Sequence, residues 1–207
     1  MKVLLFNGST NAHGCTYTAL KMVADTLIEE GIEAEIIQLG IAPIGGCRGC
    51  GFCRKGDRLC VQNDIVNEIL PKLKETDGFV FGSPVHFAGA SGALTSFMDR
   101  LFFAGGNQFR MKPAAAVVSA RRGGTTATFD QINKYFTIRE MPVVSSQYWN
   151  MVHGNTPEEV MQDEEGLQTM RVIARNMAYL LRCMEAGKAA GIPLPKQEPH
   201  AVTNFIR

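Results

Sequence analysis

Residues 47–60, CRGCGFCRKGDRLC, set Cys47, Cys50, Cys53 and Cys60 in the spacing C-x2-C-x2-C-x6-C. Structural zinc usually joins two separated CxxC pairs, whereas three thiolates spaced by two residues wrap one face of a cubane and a fourth closes it. The spacing therefore fits a [4Fe-4S] cluster best, with a zinc knuckle as the alternative. Arg48, Arg54, Lys55 and Arg58 either offset cluster charge or form a solvated face. The other two cysteines read differently, Cys15 as a small residue in a turn and Cys183 as a core filler.

A second stretch with chemistry is FNGSTNAHGCTYTAL, residues 6–20, which begins as the end of an apolar strand and finishes as the start of a helix. At such a junction unpaired helix N–H groups and the positive end of the helix dipole face one turn, a ready site for phosphate. The turn lacks both the G-x-G-x-x-G of a dinucleotide fold and the Gly-Lys-Ser/Thr of a P-loop. It offers hydroxyls and amides instead: Ser9, Thr10, Asn11, Thr16 and Thr18 suit one phosphate monoester, and the bland reading is an ordinary capping turn. Two more stretches repeat the strand–loop–helix order, GSPVHFAGASGALTSFMDR at 82–100 and SARRGGTTATF at 119–129.

The elements that must position these loops follow from hydrophobic period. Short apolar runs at 2–6, 34–39, from 78, at 113–120 and at 142–149 predict five strands. Amphipathic segments at 16–30, from 65 with a kink or restart at Pro71, at 91–103, 125–138 and 157–186 predict five helices between and after them. Strands alternating with helices imply a parallel sheet covered on both faces, in one α/β domain over residues 1–186 with the cysteine-rich loop at 43–62 inserted after the second strand. Residues 187–207, rich in Gly and Pro, read as an extended arm. Tyr148, Trp149 and Asn150 end the fifth strand at the edge where the loops meet, Trp149 either covering a ligand or packing in core or interface.

Composition narrows the partners. A 207-residue chain, 45% hydrophobic, can bury one sizeable core. With 21 basic and 20 acidic residues its formal charge is +1, without the excess that marks nucleic-acid or anionic-membrane binders, so small uncharged partners are expected. No signal-peptide core and no run of about 20 apolar residues is visible, and a cytoplasmic location is expected. Reduced thiols there suit metal or redox chemistry rather than a disulfide framework.

Taken together, the GS…T of the first loop, GSP…G…S…L…F.DR of the second and GG of the third resemble the flavodoxin-like NAD(P)H-dependent FMN reductase family over residues 1–185. The compact cysteine motif resembles that of the iron-sulfur flavoproteins within that fold. The resemblance implies a three-layer flavodoxin-like sandwich, strand order 2-1-3-4-5, with FMN between the first and third strands. It implies that Ser9, Thr10, Asn11, Cys15 and Thr16 surround the FMN phosphate, that Pro84, Val85, His86 and Phe87 line the isoalloxazine, and that Ser119, Arg122, Gly123 and Gly124 contact its pyrimidine edge. Asn11 and Cys15 stand where relatives often have an arginine and an asparagine, so backbone N–H groups must do more at the phosphate. His86 replaces a common Tyr or Trp. The implied activity is transfer of electrons from NAD(P)H through FMN to a small acceptor such as a quinone, free flavin or aromatic, by a homodimer or homotetramer. A non-enzymatic electron carrier and a zinc-stabilised flavin-binding module are the alternatives. No side chain has to act as acid or base, because hydride transfer asks only for orientation and exclusion of water.

Overall fold

The computed structural model describes residues 1–55, 59–203 and 205. Its parallel strands are β1 (Lys2–Asn7), β2 (Glu33–Gln38), β3 (Gly78–His86), β5 (Ala114–Ala120) and β6 (Met151–His153), in the order β2-β1-β3-β5-β6. This is the expected 2-1-3-4-5 arrangement of parallel strands. A two-residue strand β4 (Gly89–Ala90) pairs antiparallel with the end of β3.

Alternation along each strand divides the core into two layers, as the two-residue period of a pleated strand requires. Leu4 and Phe6 of β1, Phe79 and Phe81 of β3 and Ala116 and Val118 of β5 face α2 (Ile65–Ile69), α3 (Gly92–Gly105) and α4 (Thr125–Thr137). Val3, Leu5, Val80, Ala115 and Val117 face α1 (Cys15–Glu29) and α6 (Glu164–Ala189). On the first face the Phe6 and Phe81 rings lie 4.9 Å apart and the Phe102 and Phe109 rings stack at 4.4 Å. On the second face α6 presents Leu167, Met170, Ile173, Ala174, Met177 and Leu181, a stripe at helical spacing, and packs on α1.

The helix from 65 stops at Ile69 and continues as a 3-10 turn over Leu70–Glu75, with Pro71 near its start, which is the restart expected there. Two other expectations fail. The fifth strand was expected at 142–149, but only a bridge between Ala114 and Val143 forms there, and pairing with β5 resumes at Met151–His153. Polar side chains explain the gap: the Ser146 hydroxyl lies 2.5 Å from the Tyr148 carbonyl oxygen and 2.8 Å from Asn150 Oδ1, folding 145–149 out of the ladder, and Asn150 returns to the interior with its carbonyl accepting from the Val118 amide. The closing helix expected at 157–186 is split into α5 (Pro157–Val160) and α6. Asp163 makes the break by capping the Gly166 amide at 2.9 Å while also accepting from the His153 amide. A Cβ at Gly166 would lie 2.3 Å from Asp163 Oδ2, so a larger residue there would displace the capping carboxylate from its present position. The helix then runs to Ala189, past the expected end at 186, and residues 192–203 follow without regular structure, touching the body where Arg110 donates to the Pro195 carbonyl.

Gly82, in the middle of β3, sits under α1, where a Cβ would meet Leu20 Cδ1 at 2.7 Å. Gly82→Ala is therefore expected to lower stability by about 1–3 kcal/mol through overpacking, seen as a lower urea midpoint at an unchanged m-value. An unchanged midpoint would mean that α1 yields to the methyl at no cost.

Candidate functional site

Three loops leave the carboxyl ends of β1, β3 and β5 and meet at one edge of the sheet. The first, residues 8–14, is shaped by its own side chains. Asn7 Oδ1 accepts from the Ser9 amide, Ser9 Oγ from the Asn11 amide and Asn11 Oδ1 from the His13 amide, each at 3.1 Å, a chain of Asx and Ser turns. Gly14 ends it because any Cβ would lie 3.0 Å from the Asn11 side chain. Helix α1 then starts with no side-chain cap and no acid in its first turn, and the amides of Thr16 and Tyr17 find no acceptor among the described residues. Four N–H groups are orphaned at any helix start, and uncapped ones beside exposed Thr10 and Asn11 form a donor set for an anion. Cys15 turns away from that set, its Sγ 3.6 Å from the Gly154 carbonyl, and burial pushes its thiol above the ordinary range, with Glu159 and Glu158 adding to the shift.

Thr16 also faces inward. It is buried, and its hydroxyl lies 2.8 Å from that of Ser119, itself buried at the end of β5. Two residues expected on different parts of one ligand thus grip each other, tying the first loop to the third.

The second loop is a tight hairpin in which Val85 pairs with Ala90 and His86 with Gly89 around Phe87 and Ala88. Both turn residues have positive φ, 50° and 56°, the geometry that Asn-Gly usually supplies, so the turn holds strain of about 1–2 kcal/mol per residue. Phe87 projects wholly into solvent, His86 is exposed, and Pro84 and Val85 are half-buried behind them. Gln131 of α4 holds the hairpin by accepting from the Ala90 amide at 2.9 Å. The third loop packs against its tip: Gly124, at φ 88°, has Ala88 Cα 2.8 Å from where a Cβ would stand, while Arg122 and Gly123 are exposed. Helix α4 likewise starts uncapped at Gly124 with no acid in its first turn. Ser91 joins the second loop to the first, its hydroxyl donating to the Gly8 carbonyl at 2.7 Å and accepting from the Leu94 amide. Ser91 is the serine of the second-loop motif, but its bond to the first loop shows only in the folded contacts; Gln131 was not singled out in the sequence, since its side chain carries no motif. Tyr148 and Trp149 stand half-exposed with ring centres 5.0 Å apart, outside the core.

The cysteine loop leaves the end of β2 beside the first loop, and Gln38 joins the two by donating to the Ser9 carbonyl at 2.7 Å while accepting from Asn7 at 2.5 Å. Cys47, Cys50, Cys53 and Cys60 line one pocket, together with Gly49, Gly51, Arg100 and Phe103. Gly49 and Gly51 take positive φ, 63° and 66°, which lets the backbone curl around the pocket. Burial pushes the Cys53 thiol above its usual range, and Cys60, Cys47 and Cys50 close by push it further. The neck of the loop is sewn shut. Gln62 donates to the Gly46 carbonyl at 3.0 Å, and Asn67 accepts from the Cys60 amide and donates back to the Cys60 carbonyl. Arg100, the residue that ends the motif of the second loop, is 1% exposed and holds Asp64 with two hydrogen bonds. Burial works against its charge, but the bonds to Asp64 and Cys60 outweigh it and raise the guanidinium pKa. Arg54 lies 4.3 Å over the Phe103 ring at the pocket wall, while Arg48 and Lys55 are exposed; Arg58 lies outside the described residues. Among the described residues no three His, Cys, Asp or Glu side chains converge closely enough to hold a single metal ion. Cys183 is exposed on α6, not in the core.

Residues 1–156 match the family described as NADPH-dependent FMN reductase. An iron-sulfur flavoprotein of Methanocaldococcus jannaschii is 35% identical over 193 residues, covering 89% of this chain and 100% of that one. An iron-sulfur flavoprotein of Archaeoglobus fulgidus is 33% identical over 197 residues, covering 91% and 96%. Among solved structures, a flavodoxin from the domain Archaea superposes with a TM-score of 0.59 at 16% identity, covering 88% of this chain and 99% of that one, a likeness of fold. No described helix is long and apolar enough to cross a membrane.

The buried Thr16–Ser119 pair makes a prediction that separates structure from ligand contact. Thr16→Val leaves the Ser119 hydroxyl without its partner and is expected to cost the ligand-free protein about 1–3 kcal/mol in urea unfolding. Adding Ser119→Ala removes the orphan and is expected to restore most of that loss. A Thr16→Val protein of unchanged stability but weakened flavin affinity would instead place the hydroxyl on the ligand.

Proposed function

The chain belongs to the NADPH-dependent FMN reductase family, among relatives named iron-sulfur flavoproteins, and from that membership we propose that this flavoprotein takes electrons from NAD(P)H and passes them through a [4Fe-4S] cluster to a small acceptor. The observation that carries the reading is the convergence of loops at one sheet edge: Ser91 ties the second loop to Gly8, Gly124 packs on Ala88, and Thr16 meets Ser119. That edge is where a doubly wound sheet binds a nucleotide, and its donors suit FMN rather than a dinucleotide.

Bound there, FMN supplies the exchange between hydride and single electrons. The chain's part is binding and orientation. The amides of Thr16 and Tyr17 with the exposed hydroxyl and amide of Thr10 and Asn11 would hold the phosphate, with the Cys15 amide beside them; Ser9 spends its hydroxyl as an acceptor that shapes the turn. Pro84, Val85, His86 and Phe87 of the hairpin would line the ring system, and Arg122, Gly123 and Gly124 of the third loop would contact it from their side. Strain held at a turn by surrounding contacts is characteristic of such platforms.

A [4Fe-4S] cluster supplies one-electron storage. Among the described residues the thiols of Cys47, Cys50, Cys53 and Cys60 line the pocket with no His, Asp or Glu beside them, and they would be the ligands. Three thiols spaced by two residues with a fourth to close them suit a cubane better than one zinc ion, which usually joins two separated CxxC pairs. Distance along α3 supports transfer between the two centres. Ser91, its cap, touches the first loop, and Arg100 at the pocket lies nine residues on, about 13 Å at 1.5 Å per residue.

Protein purified without air is expected to release FMN, not FAD, on acid treatment, to bleach when mixed with NADPH or NADH, and to carry about four irons per chain. Reduction by dithionite but by neither nucleotide would make it an electron carrier. Cys50→Ser is expected to remove the iron and leave FMN in place, because the two sites use different loops. One zinc per chain would replace the cluster by a structural knuckle.

A further inference from the structure

Arg100 is the one charged side chain among the fully buried described residues, and burying a cation is costly unless every donor is used. Here each of the five guanidinium N–H groups has an acceptor to meet. Nη1 donates to the Gly45 carbonyl at 3.3 Å and to Asp64 Oδ2 at 2.5 Å, and Nη2 to the Gln62 carbonyl and Asp64 Oδ1, both at 2.8 Å. These four bonds close the neck of the cysteine loop, joining residue 45 on its way out to residues 62 and 64 on its way back. The fifth goes elsewhere. Nε donates to Cys60 Sγ at 3.3 Å. Holding the neck does not need that bond, and among the described residues no side chain donates to the sulfur of Cys47, Cys50 or Cys53.

We propose that Arg100 is a positioning residue for the fourth thiolate of the cysteine pocket and raises the reduction potential of the cluster held there. The inference rests on the cluster reading above. A ligating sulfur carries part of the cluster's negative charge, and that share grows when one electron is added. An N–H from a fixed cation stabilises the more negative state more, and hydrogen bonds to sulfur are among the levers that set cluster potential. Two features make the donor fixed. The bidentate Asp64 pair locks the plane of the guanidinium, and Asp64 is itself held as the cap of α2 by the Val66 amide. Cys60 is held from the other side, its backbone bound at both N–H and carbonyl by Asn67, so sulfur and donor cannot drift apart. Asp64 offsets the net charge of the pair, but it lies beyond the guanidinium from Cys60, and the Nε–H dipole still points at the sulfur.

Two variants test this. R100K keeps a buried cation for Asp64 but has no Nε–H; R100Q combined with D64N removes both charges and so leaves neither orphaned. Each is purified without air and measured for flavin content, iron and sulfide, and the midpoint of each centre by potentiometric titration with EPR and absorbance. The expected result is wild-type FMN content and flavin midpoint, retained iron, and a lower cluster midpoint. In R100K the reduced-to-oxidised ratio of the cluster at fixed poise should fall about tenfold, 59 mV for one electron. An unmoved cluster midpoint in both variants overturns the proposal. So does loss of iron from both with FMN retained, which would make Arg100 a brace for the loop and nothing more. Wild-type protein without iron and sulfide refutes the cluster reading itself, an outcome visible before either variant is made.

Discussion

A parallel sheet buried on both faces leaves no room for chemistry in its interior, because every inward side chain must be apolar or pair with another buried group. That constraint governs this molecule. The strands spend their residues on two layers of Phe, Val, Leu and Ala, and all that remains for function is the carboxyl edge, where backbone leaves the ladder and helix amides arrive without partners. The polar side chains at that edge serve each other first. Thr16 and Ser119 join two loops, and Ser91, Ser83 and the Gly8 carbonyl join another pair. What is left over for a ligand is chiefly backbone amide and exposed loop.

Elements defined by their own residues were readable from the sequence. KVLLF and PAAAVVSA read as buried strands by their length and apolar runs, the helix faces repeat at helical spacing, and a four-cysteine run cannot be mistaken for core. Elements defined by a contact elsewhere were not. PVVSSQYW has strand composition, yet the Ser146–Asn150 bonds take it out of the sheet and leave pairing to the less β-like MVH. The charge pattern of 157–186 reads as one helix, and the cap that divides it, Asp163, looks like one more surface acid among several. The hairpin at 85–90 carries no turn signal, because Phe-Ala occupies positions that favour Asn-Gly; its support comes from Gln131 and Gly124, some forty residues away. Arg100 was visible as part of a motif, but its role was not, since Asp64 and Cys60 come near it only through the folding of the loop.

The cysteine loop is an insertion that the fold can carry without rearrangement. It enters after β2 and returns at α2, and its two ends are brought together by Gln62, Asn67 and Arg100, so the sheet sees a closed neck whatever lies beyond it. Closing a loop of this length costs little more entropy than closing one half as long, which makes such an insertion tolerable at an edge position. The place of insertion matters more than its length. β2 is the neighbour of β1, and Asn7, Gln38 and Ser9 form one hydrogen-bonded set across the two strand ends. The first loop and the root of the cysteine loop therefore cannot move independently.

Helix α3 is the second connection, and it is of another kind. Its first residues are fixed to the β1 loop through Ser91, its middle is buried by Phe97, Met98 and Leu101 against the sheet, and its third turn offers Arg100 to the pocket. A helix held at both ends and along one face behaves as a rigid strut, so it sets the separation of the two sites rather than merely spanning it. The hydrogen-bonded set at the strand ends fixes their relative orientation, and the strut fixes their distance. Under the proposed function, electron exchange between the two sites would need both to stay constant. The arrangement explains why a buried arginine, costly in any core, is placed where α3 meets the loop: it is the point at which the rigid layer of the fold reaches the thiols directly.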